Sequence, residues 1–263
     1  MDFQQIKLNK IDSVGVITLN APKTLNALTR VMLCEFSEAL DICCAPDSGV
    51  RCLMLTGEGR GFSSGANLAD PDAKKIQPPD PGRTLDEIYT PLFLRLRDLE
   101  IPLVVGLNGV TAGITMSMAL MGDIILAARS AYFLQPFANI ALIPDGGATW
   151  LLPRFLGKAR AFELSLLGER LLAEKALEWG LINSVHDDDK LFDAALAMAQ
   201  RLAAGPTRTY ALTRKAFWQG FDNSFVEQLQ LERQLQRTAG LSEDAADAAR
   251  AFLQKRPPKF IGR

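Results

Sequence analysis

Residues 14–57, VGVITLNAPKTLNALTRVMLCEFSEALDICCAPDSGVRCLMLTG, decide the fold class. Val14–Leu19 is a short run rich in β-branched residues, and residues 51–56 make a second apolar run that stops at Gly57, so both predict strands. Between them Thr29 is placed to cap a helix over residues 30–42, in which Val31, Leu33, Phe36, Leu40 and Cys43 recur at near-helical spacing. A strand, a helix and a strand in that order open a β-α-β unit. The alternation continues through predicted strands at 103–107, 124–127 and 181–185, with helical segments at 113–121 and 159–167. The expected class is α/β, with a parallel sheet covered by helices.

Beyond about residue 190 the strand signals stop. Residues 191–204, 207–217, 224–238 and 242–254 all read as helices, so the chain divides into a core over 1–200 and a helical region over 201–263. Leu229, Leu231 and Leu235, set among Glu227, Glu232, Arg233 and Arg237, form an amphipathic stretch whose apolar side needs either the core or another subunit. Pro71, Pro78, Pro79, Pro81 and Gly82 predict a mobile surface loop over 70–83, of a kind that closes over a substrate. The ending KRPPKFIGR is basic and aromatic, suited to a solvated tail or to a phosphate and an adenine ring.

Composition narrows the function. With 263 residues, 48% of them hydrophobic, the chain has ample material for a core. Twenty-nine basic residues against thirty acidic ones give a formal net charge of -1, so no global field favours nucleic acid or an anionic membrane. The N-terminus lacks the layout of a signal peptide, and no apolar run is long enough to span a bilayer; the expectation is a cytoplasmic protein. Cys34, Cys43, Cys44 and Cys52 lack paired C-x-x-C spacing and His186 is the only histidine, so no metal site is expected.

Three stretches offer chemistry. In NIALIPDGGATWLLPR (139–154) an apolar run meets Pro144, Asp145 and two glycines ahead of a helical segment, which leaves Asp145 open as a helix cap or as a carboxylate retuned for proton transfer. GEGRGFSSGANLAD (57–70) clusters glycines after a strand but fits neither phosphate-loop pattern nor G-x-S-x-G. LNGVTAGITMSMALMGD (107–123) begins a helix of small residues near Ala112, and the first amides of a helix are unpaired. Two such amide sources, one after each strand, would stabilise an oxyanion if they converged. Close helix packing explains the same glycines equally well.

Taken together, NAPKTLNAL, GRGFSSGANL, NGVTAGI, GDIILAARSAYF, IPDGGATWLLPR, LLGERLLAEKALEWGLIN and RAFLQKRPPKF occur in the order found in the enoyl-CoA hydratase/isomerase (crotonase) superfamily, which the chain resembles over nearly its whole length. The resemblance implies a crotonase-like spiral of ββα units, a C-terminal helical trimerisation region, homotrimers or hexamers built as dimers of trimers, and an acyl-CoA thioester as substrate. No separate cofactor is implied, because coenzyme A is part of the substrate.

Residue by residue, the resemblance implies that backbone amides at Ser64 and Ile114 hold the thioester oxygen. The second place usually carries glycine, and the branched side chain of Ile114 is expected to narrow the acyl pocket and shift the turn. Hydratases of the superfamily activate water with two glutamates; Ser117 and Phe137 occupy those places, which argues against hydration. Asp145 falls where several isomerases carry an aspartate, and these segments are most similar to the isomerase branch of phenylacetate degradation, which rearranges a ring epoxide and shifts double bonds. For coenzyme A the implied contacts are backbone near Lys23, Leu25, Ala66 and Leu68, with Asn67 in place of a common aspartate, and Phe252, Lys255 and Lys259 near the C-terminus, often supplied by a neighbouring subunit. Tyr89, Phe93 and Trp150 either line the acyl pocket or pack the core, and Asp123 is read as structural.

The expected function is an acyl-CoA isomerase that shifts a double bond or rearranges a ring epoxide, with Asp145 as acid and base, in phenylacetate or fatty-acid degradation. The alternatives are a hydratase-like enzyme, an acyl-CoA hydrolase or dehalogenase with Asp145 as nucleophile, and a non-catalytic acyl-CoA-binding homologue.

Overall fold

A computed structural model describes residues 2–70 and 80–262. The chain opens with an antiparallel pair, β1 (Ile6–Ile11) and β2 (Val14–Leu19), followed by α1 (Arg30–Cys44) and β3 (Cys52–Gly57). Thr29 caps α1 as expected, accepting a hydrogen bond from the Met32 amide at 3.1 Å. Met32, Leu33, Phe36, Ala39, Leu40 and Cys43 form its buried stripe, while Val31, expected in it, is exposed. β2 is buried at all six positions and pairs in parallel with β3, while the alternating, lysine-bearing β1 takes the sheet edge.

From β3 onward one unit repeats: a long buried strand, a short strand and helix. β4 (Gly61–Ser63) follows β3 and leads, past the residues not described, to α2 (Pro81–Thr84), a π-helical turn over Leu85–Tyr89 and α3 (Thr90–Arg97). β5 (Leu103–Leu107), β6 (Val110–Ala112) and α4 (Ile114–Ala119) make the second unit; β7 (Ile124–Ala128), β8 (Tyr132–Leu134) and α5 (Ala148–Leu167) make the third. β9 (Leu171–Leu172), α6 (Ala173–Glu178) and β10 (Ser184–His186) complete the strands. The long strands build a six-stranded sheet in the order β1-β2-β3-β5-β7-β10 and the short ones a second sheet, β4-β6-β8-β9. This is the expected spiral of ββα units. The single parallel sheet expected from alternation alone is corrected, because each crossover after β3 contains short strands that pair in a sheet of their own.

α7 (Leu191–Ala203) lays Ala195 and Ala199, both fully buried, against the large sheet. α8 (Thr207–Gly220), α9 (Phe225–Gly240) and α10 (Glu243–Leu253) follow. The boundary at 200/201 therefore falls inside a helix, and the break in the chain comes at Gly205–Pro206. The strand expected over 181–185 is shorter, at Ser184–His186, and the helix expected at 159–167 begins at Ala148, with a break at Gly157. The surface-loop expectation for 70–83 lies mostly outside the described residues.

Buried Arg214 fastens α8 to the core: it pairs with Asp123 and donates to the carbonyl oxygens of Leu99 at 3.1 Å and Leu96 at 2.8 Å. Asp123 also accepts from the Leu103 amide at 2.8 Å, a structural role. Among the described residues no helix is long and apolar enough to cross a membrane, and no cluster of three His, Cys, Asp or Glu side chains is placed to hold a metal.

Candidate active site

Pairing of β4 with β6 sets two turns side by side, Ser64–Ala66 after one strand and Gly113–Ile114 after the other. A methyl group on Gly65 would lie 3.1 Å from the Ala112 carbonyl oxygen and 4.0 Å from the Gly113 Cα. Thr115 in the first turn of α4 donates its hydroxyl to the Ala112 and Ser63 carbonyl oxygens, at 2.7 and 3.2 Å. The expected convergence of two amide-bearing turns is thus present.

The amide at Ser64 is not available. Its N–H donates to the Leu25 carbonyl oxygen at 2.9 Å, while the Gly65 N–H turns to Ser63 Oγ at 3.3 Å and the Asn67 N–H to the Leu28 carbonyl oxygen at 2.9 Å. The Ala66 N–H has no partner among the described residues, and neither has that of Ile114 at the start of α4. The expected Ser64 amide is therefore already engaged, and the free amide of this turn is that of Ala66. Residues 64–67 run beside Leu28, where a parallel bridge between Leu28 and Ala66 uses the flanking amides and leaves that of Ala66 pointing away.

Asp145 is held against the start of α4. Ser117 Oγ donates to the Asp145 carbonyl oxygen at 2.8 Å, and the Ala148 amide donates to the same atom at 3.0 Å. Gly146 packs so tightly that a Cβ there would lie 2.8 Å from Ile114 Cγ1, 3.0 Å from Phe93 Cζ and 3.1 Å from Ser117 Cβ. The carboxyl caps no helix, since α5 is capped at Gly147 without a side-chain bond. Its Oδ1 is buried without a hydrogen-bond partner, and burial pushes the carboxyl up to about 6.

No acid stands where the superfamily's two glutamates would. The Ser117 hydroxyl is engaged by the Asp145 backbone, and the Phe137 ring lies against Gly113, 3.7 Å from where a Cβ would sit. A cavity of about 1170 Å³ extends from Asp145 between α3, the start of α5 and α8. Leu85, Tyr89, Phe93, Met121, Trp150, Leu212 and Trp218 line it, so the three aromatic residues left open between pocket and core reach the cavity; Ala66 and Ile114 lie outside its lining. Trp150 stacks on Trp218 at 5.9 Å between ring centroids and meets the edge of Phe221 at 5.1 Å. The contribution of α8 to this wall was not legible in the sequence, because it depends on the long-range Arg214 clamp.

Lys23 and Leu25 lie in a tight turn at Pro22–Thr24 that adjoins Ser64, whose Oγ donates to the Thr24 carbonyl oxygen at 3.1 Å. Leu68 is exposed, and Asn67 accepts from the Ala69 amide at 3.0 Å in a local turn. Among the described residues no hydrogen bond or ion pair joins Phe252, Lys255 or Lys259 to this turn. The tail is tied to Arg51, which donates to the Phe260 carbonyl oxygen at 2.9 Å, ahead of β3, whereas Ser64 follows the other end of that strand.

Fold and site together define an enzyme family that acts on acyl-CoA: the sequence pattern of the enoyl-CoA hydratase/isomerase family matches residues 9–263, and the chain belongs to that family. It is 45% identical to the 1,2-epoxyphenylacetyl-CoA isomerase of Escherichia coli strain K12 over 95% of each chain, and 38% identical over the full length of both to a probable enoyl-CoA hydratase of Rhodobacter capsulatus. A crystallised enoyl-CoA hydratase from Polaromonas sp. JS666 superposes with a TM-score of 0.91 at 29% identity, covering 97% of this chain and 99% of that one.

Proposed function

We propose that the protein is an acyl-CoA isomerase that moves a double bond, or rearranges a ring epoxide, through an enolate. The amides of Ala66 and Ile114 polarise the thioester carbonyl and stabilise the charge that develops on its oxygen. Asp145 removes the proton made acidic by that polarisation and returns it elsewhere on the resulting dienolate. A 1,3 proton shift consumes no water and calls for no metal or separate cofactor. The observation that carries the reading is the Asp145 carboxyl: its Oδ1 is buried without a partner, the Gly146 beside it packs on the Ile114 side chain, and Ser117 and Phe137 stand where water-activating acids would. The resemblance to the epoxyphenylacetyl-CoA isomerase supports an aromatic acyl group and a place in phenylacetate degradation.

We further propose a trimer or a dimer of trimers in which Phe252, Lys255 and Lys259 serve the coenzyme A site of a neighbouring subunit. The tie of the tail to Arg51, ahead of β3, and the 83% exposure of Phe252 support that arrangement.

A product-resolved screen tests the function. Presented with 3-enoyl-CoA, 2-enoyl-CoA and ring-epoxide phenylacetyl-CoA, the enzyme is expected to isomerise the first or the third and to add no water to the second. Hydration as the main reaction would overturn the proposal.

A further inference from the structure

Tyr89 ends the π-helical turn that leads into α3, and such turns often mark functional positions. Four residues later, on the same face, the Phe93 ring presses on Gly146 beside Asp145. Tyr89 is therefore one helical turn, about 5.4 Å, along the same wall, and it lines the cavity together with Asp145. Only 6% of its residue surface is exposed, and that residue lines the cavity, where no group among the described residues bonds its hydroxyl. Burial, reinforced by the negative charges of Asp145 and Asp70, pushes the phenol far above its ordinary range, so the group is a donor throughout the working pH range. Leu85, Phe93 and Met121 on the same cavity are apolar. A tyrosine hydroxyl on an otherwise apolar stretch of cavity wall is a hydrogen-bond donor that a ligand can meet.

We propose that the Tyr89 hydroxyl donates a hydrogen bond to an oxygen atom in the acyl group of the substrate, which selects acyl-CoA thioesters carrying an ether, hydroxyl or ring oxygen over plain hydrocarbon ones. The inference rests on the acyl-CoA site described above. With the thioester oxygen at the amides and Asp145 serving the adjoining carbons, the oxygen in question lies further along the acyl group, in the cavity that runs toward α8.

Binding of saturated thioesters tests this without any turnover. Octanoyl-CoA and analogues with one ether oxygen at carbon 4, 5 or 6 are titrated calorimetrically into the wild type and Tyr89→Phe, with thermal unfolding to establish that the variant is folded. The expected result is that the variant weakens binding of at least one oxygen-bearing analogue about fivefold to tenfold more than it weakens octanoyl-CoA. Equal effects on all ligands, or no effect on any, overturn the proposal. If the variant fails to fold, the wild type alone decides: it should bind one oxygen analogue more tightly than octanoyl-CoA, and uniform or weaker binding overturns the proposal. Because saturated thioesters do not react, a failure of the isomerase assays leaves the comparison intact.

Discussion

Alanine at Gly146 would place a methyl group 2.8 Å from Ile114 Cγ1, 3.0 Å from Phe93 Cζ and 3.1 Å from Ser117 Cβ, on a residue whose φ is +59°. Left-handed backbone costs alanine roughly 1–2 kcal/mol and the overpacking roughly 1–3 kcal/mol, about 2–5 kcal/mol together. At about 2.1 cal/mol/K per residue the unfolding entropy of 263 residues is about 0.55 kcal/mol/K, so the melting temperature should fall by roughly 4–9 °C. The larger consequence is for activity. The clash is relieved most readily by moving the turn, and misplacing a catalytic group by about 1 Å costs on the order of a hundredfold in rate. Gly147→Ala is the internal control: its φ is also positive, at +86°, but the nearest atom to a new Cβ is Leu151 Cδ1 at 3.8 Å. It should lose only roughly 2–4 °C from backbone strain and keep its rate within a few-fold. Thermal unfolding and isomerisation of a 3-enoyl-CoA, measured on both variants, separate strain from displacement. A Gly146→Ala enzyme with near-wild-type turnover, or equal losses in the two variants, would refute the claim that tight packing sets the position of Asp145.

Because the base must be ionised, kcat/KM should rise with pH through about 6 and level off above it, as a pH profile will show; a limb near pH 4 would contradict the burial of Asp145. The same carboxyl has a folded value above its unfolded one, so the folded state binds more protons between about pH 4 and pH 6 and stability at this position falls as pH rises through that window. Asp145→Asn should accordingly melt above the wild type at pH 7.5, with the gap closing near pH 4. Ser117→Ala deletes the 2.8 Å bond to the Asp145 carbonyl oxygen, a loss of about 1 kcal/mol, and should lower kcat several-fold with KM little changed; an unaltered kcat would show that the bond does not hold the base.

Local periodicity made much of this architecture legible before any coordinates. The stripe of α1, its Thr29 cap, and β2, β3, β5 and β7 all follow from runs of four to six buried residues or from helical spacing. The second sheet did not, because β4, β6 and β8 are three residues each and β9 two, too short for a period to register, and they pair only within that sheet. The same limit applies at the site. Asp145 stood out as an acid among apolar residues, and the two glycine-bearing turns were visible as amide sources. Which amide was free depended on the register of residues 64–67 against Leu25 and Leu28, a long-range pairing that no local pattern encodes, and so the free amide was expected at Ser64 whereas it is that of Ala66. The cavity wall from α8 was hidden for the same reason, since Arg214 and Asp123 are 91 residues apart.

The central claim is that Asp145 carries the proton. Asp145→Asn preserves the shape of the side chain and removes only its basicity, so the variant should stay folded and still bind a 3-enoyl-CoA while its isomerisation rate falls by roughly a hundredfold to ten-thousandfold. Single-turnover conversion of 3-enoyl-CoA to 2-enoyl-CoA by wild type and variant measures this directly. A rate within a few-fold of wild type would contradict the account.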